Sequence, residues 1–228
     1  MSSRRARSLG SRPASARSSA GRLWLAPAAC ATTTGGVLAT YSYISPLLTD
    51  RAGLAAGIVP LVLVGFGVGA LAGFLVGGRL GDVRPHATTI VAAAVTTVLL
   101  LAICVLSAFS VPVIVLVALL GRFGLGANPV LISFAVRFAG KAPTLGSALT
   151  VSAFNAGTVV GTWAAGMALD SSLGATGPAV VGTAVAALTL LPTITIALLY
   201  RRDRGETVVL SDADAAPPLA ADAGSTAR

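Results

Sequence analysis

Residues 60–86 read PLVLVGFGVGALAGFLVGGRLGDVRPH, and within this apolar run Gly65, Gly69, Gly73, Gly77 and Gly81 fall at every fourth position. In water each glycine costs a helix about 1 kcal/mol relative to alanine, so five in one soluble helix need a cause. A bilayer supplies it, because at membrane depth the backbone has only itself to bond to and stays helical despite its glycines. Residues four apart share a helix face, so the glycines cut a groove about 24 Å long at 1.5 Å per residue. Another helix can settle into such a groove. The run ends at Arg79, Asp82, Arg84, Pro85 and His86, where polar side chains and a proline stop the helix and return the chain to water.

Composition extends this reading to the whole chain. Of 228 residues, 55% are hydrophobic and only 11% charged, against about 25% charged in soluble domains. The chain is therefore expected to be an all-α integral membrane protein. Cys30 and Cys104 both lie in apolar segments with no metal-ligand spacing, so they read as packing residues, and no metal or cofactor is expected. The net charge of +8 could suit nucleic acid, but the arginines flank apolar spans, where positive charge marks the cytoplasmic face. A nucleic-acid partner is thus not expected, whereas membrane lipid is.

Residues 1–22 hold six arginines and no acid and are expected to be a disordered basic segment. Their apolar run begins too late for a twin-arginine export signal. A transmembrane domain over 23–200 follows. It comprises six apolar spans, Leu23 to Leu48, Leu54 to Leu80, Ala87 to Phe109, Val113 to Phe138, Leu145 to Leu169 and Pro178 to Tyr200. Each is long enough to cross about 30 Å of hydrocarbon. Thirteen basic residues fall on one side of these spans and one, Arg51, on the other, which predicts that both termini are cytoplasmic. Residues 201–228 form an Ala/Asp/Pro tail without apolar period, expected to be disordered in the cytoplasm.

A shift of 88 residues superposes the second span on the fifth: Phe66 on Phe154, Gly69 on Gly157, Gly73 on Gly161, Gly78 on Gly166 and Asp82 on Asp170. Six spans then read as two triplets. Three is odd, so the second triplet runs through the membrane in the opposite sense, and inverted repeats of this kind are a transporter device. The same shift sets Arg122 on Thr34 and Asn128 on Thr40.

Three segments, TYSYISPLLTD (40–50), the glycine helix ending GGRLGD and GSALTVSAFNAGTVVGTWAAGMALD (146–170), resemble the C-terminal half of major facilitator superfamily transporters. The closest resemblance is to bacterial drug/proton antiporters of the arabinose-efflux and chloramphenicol-resistance type. The resemblance covers roughly Leu23 to Tyr200, and residues 146–157 are its most specific part. It implies that Gly78 and Asp82 belong to a cytoplasmic gate loop in which Asp82 and Arg84 pair across helix ends. Val83 stands where that loop's basic residue is expected, and Pro85 where its later glycine is. The family has twelve helices and this chain has six, so the resemblance implies a second six-helix half, in a separate chain or a second copy. It also implies that the glycine helix and the fifth span face that half, making Gly65, Gly69, Gly73, Gly77, Gly157 and Gly161 a groove for helices this chain does not encode. A multi-pass location in the bacterial inner membrane follows.

Candidate pathway residues are few. Arg122 lies about 13 Å into the fourth span by the helical rise, where a cation costs at least about 3 kcal/mol. No Asp or Glu lies at that depth, so its counter-charge is a carbonyl, Asn155 at matching depth, an anionic substrate group or a carboxylate of the other half. Asn128 precedes Pro129 at a point where the helix should loosen. Thr34 and Thr40 on the first span complete the set, while Tyr41, Tyr43, Trp24 and Trp163 read as interface anchors. His86 reads as a solvated loop residue. No Ser/His, Asp/Asp or metal-ligand set occurs at membrane depth, so the chain is not expected to be an enzyme. Two functions remain. One is a secondary-carrier half that exports small amphipathic compounds by alternating access; the other is a non-transporting membrane interaction protein or carrier remnant that pairs with another half.

Overall fold

The structure is a computed structural model that describes residues 14–139 and 142–200, with side chains from residue 24 onward. Eight helical stretches organise these residues: α1 (Ala14–Ser42), α2 (Val59–Val83), α3 (Pro85–Val105), α4 (Ser110–Gly126), α5 (Asn128–Phe138), α6 (Pro143–Leu169), α7 (Gly177–Leu188) and α8 (190–200). The fold is all-α, and the described residues contain no strand. Helix α1 begins at Ala14, ahead of the apolar run at Leu23. The expected disorder of residues 1–13 and of the tail 201–228 falls outside the described residues. Contacts divide the chain into residues 1–196, which hold the packed bundle, and 197–228, of which only the helical residues 197–200 are described.

Two of the breaks fall just before a proline. Pro129 has no N–H to give the carbonyl of Leu125, and α4 yields to α5 at Ala127. Pro192 stands in the same relation to Leu188, and the break falls at Thr189. The α2–α3 turn is a single residue, Arg84, whose N–H donates to the Leu80 carbonyl at 2.8 Å. Pro85 then opens α3 at a position where no N–H is needed. Four stretches, Ala56–Val83, Pro85–Leu106, Ser110–Phe138 and Gly174–Tyr200, are long and apolar enough to cross a membrane. Helices α1 and α6 are not among them. They carry more hydroxyls and are each other's main partners, packed together as extensively as α2 is with α4.

These two pairs correct the expected role of the glycines. A Cβ at Gly69, Gly73 or Gly77 would strike the backbone carbonyl oxygen of Ala118, Arg122 or Gly126 respectively. The groove of α2 is thus filled by α4 of the same chain, not by helices from elsewhere. Gly65 has room to spare, its nearest neighbour being the Ala118 Cβ at 3.9 Å. Likewise a Cβ at Gly157 or Gly161 would strike the carbonyl of Ala31 or Gly35, so α1 fills the groove of α6. The contacted residues, Ala31 and Ala118 or Gly35 and Arg122, are 87 apart rather than 88. Arg122 therefore matches Gly35, not Thr34, and the expected superposition of the first and fourth spans is off by one.

Two apolar clusters close the ends of the bundle. At one end Val37, Leu47, Leu48, Phe66, Leu100, Ile103, Val113 and Val117 meet; at the other, Ala26, Cys30, Val130, Leu131 and Phe134. The flanks of α2 and α6 turned away from their glycine grooves are exposed and apolar, with Leu61, Val64, Val68 and Leu71 on one and Val151, Val159, Val160 and Trp163 on the other.

Candidate functional site

Most buried hydroxyls among the described residues bond back to their own helices, whereas Thr96 Oγ1 and Thr189 Oγ1 are buried without a partner. Thr33 Oγ1 donates to the Ala29 carbonyl at 2.7 Å, Thr34 Oγ1 to Cys30 at 2.8 Å and Thr150 Oγ1 to Gly146 at 2.9 Å. Bonding one turn back lets a threonine sit in an apolar interior without an unmet donor. Thr34, expected on a solute pathway, is fully buried this way. Thr40, expected there too, is 1% exposed and donates across to the Pro178 carbonyl at 3.3 Å, tying α1 to α7. Tyr41 stacks on Phe66 with ring centroids 4.3 Å apart, an internal contact rather than an anchor. His86 is half-buried near the start of α3 and stacks on Phe134 at 5.0 Å, not free in a loop as expected.

The remaining pathway candidates separate into two places. Arg122 is exposed, and its backbone forms the wall of the α2 groove. Its side chain borders a cavity of about 290 Å³ shared with Arg84, Thr88, Val91 and Phe123, and a wider hollow with Leu61, Val64 and Val68. Its guanidinium carbon lies 5.9 Å from the centroid of the neighbouring Phe123 ring. Asn155, offered as its partner, lies elsewhere. Its Nδ2 donates to the Val151 carbonyl of its own helix at 3.0 Å.

Asn155 and Asn128 instead line one cavity of about 320 Å³, together with Cys30, Phe74, Ile132, Thr150, Val151 and Phe154. Asn128 is 3% exposed, and its Oδ1 is buried with no hydrogen-bond partner. The α4–α5 break puts it there, since Asn128 opens α5 directly before Pro129. Thr150, Val151, Phe154 and Asn155 recur at the spacing of one α6 face, and Phe74 follows Gly73 at the edge of the α2 groove. Phe74, Ile132 and Thr150 were not among the residues the sequence singled out, and Phe154 entered only as the repeat counterpart of Phe66. The signal was present in residues 146–157, the most specific part of the resemblance, of which Thr150, Val151, Phe154 and Asn155 line the cavity.

At the α2–α3 turn Asp82 and Arg84 are both exposed. Arg84 lines the cavity that reaches Arg122, and its carbonyl accepts from Thr88 Oγ1 at 2.9 Å. Among the described residues no group of three His, Cys, Asp or Glu side chains could hold a metal ion.

Comparison with known proteins bears on the whole bundle. The chain is 28% identical over 176 residues to the uncharacterized MFS-type transporter YtbD of Bacillus subtilis (strain 168), covering 75% of this chain and 44% of that protein. It is 31% identical to a chloramphenicol resistance protein of Streptomyces lividans, over 75% of this chain and 43% of that one. It is 30% identical to the inner membrane transport protein YdhP of Escherichia coli (strain K12), over 78% and 45%. The chain thus spans less than half the length of the relatives it matches. No family model matches it, and no solved structure does. With bacterial transporter relatives and four helices able to cross a membrane, it is a multi-pass protein of the bacterial plasma membrane.

Proposed function

Since the chain is a homologue of major facilitator superfamily transporters, we propose that it is one six-helix half of a secondary carrier that moves small amphipathic compounds out of the cell by alternating access. The crossed pairing of helices carries this reading. Helices α1 to α3 form one triplet; α4 with α5, α6, and α7 with α8 form the other. The grooved rod of each triplet, α2 or α6, lies against the leading rod of the other, α4 or α1. Two inverted copies of one unit pack in this reciprocal way, around a site near the bilayer midplane. All six rods then cross the membrane, both termini are cytoplasmic, and the Asp82–Arg84 turn belongs to the cytoplasmic gate. The exposed apolar flanks of α2 and α6 are where a second half, from another chain or a second copy, fits best. No covalent chemistry is needed, so the protein is read as a carrier and not a catalyst.

The test is accumulation of radiolabelled chloramphenicol, a probe suggested by the Streptomyces relative, in an efflux-deficient bacterium. The chain is expressed alone, as a tandem of two copies, and beside the stretch of YdhP that it does not match. Lower accumulation in either paired form supports the proposal. Unchanged accumulation in all three, with both halves inserted and co-purifying, would defeat it.

A further inference from the structure

The cavity between α1, α2, α5 and α6 has a chemistry that the carrier reading does not specify. All eight side chains around it are uncharged, and Arg122 borders two different hollows instead. An ion placed here would lose its hydration with no opposite charge to replace it. The hydrogen-bonding groups that face it are short of donors to meet. Asn128 Oδ1 is buried and unpartnered, and the broad terminal torsion of an asparagine lets its amide turn toward the cavity. Asn155 has committed one N–H to Val151, leaving its Oδ1 open. Thr150 has given its hydrogen to Gly146, leaving lone pairs. The unmet buried acceptor of Asn128 favours a ligand that satisfies it, and the exposed Asn155 amide stands at the cavity's open side. Phe74 and Phe154 offer aromatic faces for a ring, and about 320 Å³ lies within the range of small-molecule sites.

We propose that this cavity binds an uncharged aromatic amphiphile through its hydroxyl or amide N–H donors, with Asn128 and Asn155 accepting and Phe74 and Phe154 flanking the ring. The inference rests on the carrier reading and names the class of solute that the carrier takes. Arg122 then has no part in holding the solute.

Equilibrium dialysis tests it, with the full chain in lipid nanodiscs and three radiolabelled probes that differ in charge: N-benzoylethanolamine, neutral; N-benzoylglycine, anionic; N-benzoylethylenediamine, cationic. The neutral probe should bind about tenfold more tightly than either ion, and Asn128→Leu or Asn155→Leu should each weaken it about tenfold, the value of one well-placed hydrogen bond. Asn128→Asp should turn the preference toward the cationic probe, a reversal that mere loss of folding cannot produce. Equal binding of all three, tightest binding of the anion, no binding at all, or neutral binding indifferent to both leucine variants would overturn the assignment. Binding is read here without flux. A chain that holds the neutral probe yet never lowers chloramphenicol accumulation keeps the subsite and loses the carrier; one that lowers accumulation but binds no probe does the reverse.

Discussion

Gly73 shows how much one missing side chain decides. Its Cα lies so close to α4 that a methyl group would meet the carbonyl of Arg122, which is backbone and cannot swing aside. Gly67 on the same helix has open space where its Cβ would be. Gly73→Ala should therefore destabilise the bundle by about 1–3 kcal/mol, as overpacking does, whereas Gly67→Ala should be neutral or stabilise it by up to about 1 kcal/mol through helix propensity. Thermal unfolding in detergent, followed by circular dichroism, separates the two; equal losses at both sites would mean that α4 does not fill the groove. The four-residue spacing was legible from the chain alone, but its occupant was not. A glycine records that a backbone comes near without recording whose. Arg122 illustrates the same limit, since counting residues gave its depth in the helix while only packing fixed which side it faces.

Among the elements, the broken rod α4–α5 is the one whose behaviour follows most directly from its residues. Pro129 withholds one hydrogen bond from Leu125, and Gly124 and Gly126 add no side chains to stiffen the turn before it. Pro27 lies within α1 without interrupting it, so a proline alone does not set a break. Restoring the bond with Pro129→Ala should straighten α4–α5, raise the unfolding midpoint and slow solute movement several-fold, because rods that line carrier sites use such interruptions to move. The paired chloramphenicol accumulation measurement checks this, and undiminished export from a more stable variant would remove the break from the transport cycle. Loosening at the Asn128–Pro129 step was readable in advance. The cavity it opens was not, because Phe74, Thr150 and Phe154 are ordinary residues of apolar spans until α2, α5 and α6 are brought together.

For the molecule as a whole, charge carries the orientation. With thirteen basic residues on one side and one on the other, Asp82 should lie in the cytoplasm and Ser171 outside. In a variant with Cys30 and Cys104 changed to serine, Ser171→Cys should react with an impermeant maleimide on intact cells, and Asp82→Cys only after permeabilisation; the opposite pattern would invert the topology. The class of fold and the kinship with transporters were open to reading because hydropathy and residues 146–170 state them locally. The crossed packing depends on contacts between residues more than 40 positions apart, such as Gly73 with Arg122 and Gly35 with Gly161, which no local pattern encodes. That crossing bears on how the protein is made. Helix α2 meets its mate once α4 has been synthesised, but α1, made before α2, meets its main mate only when α6 follows. The insertion machinery must therefore hold α1 without its chief partner while α2 to α5 are made, and a transcript cut short before residue 143 would leave that helix bereft of it for good.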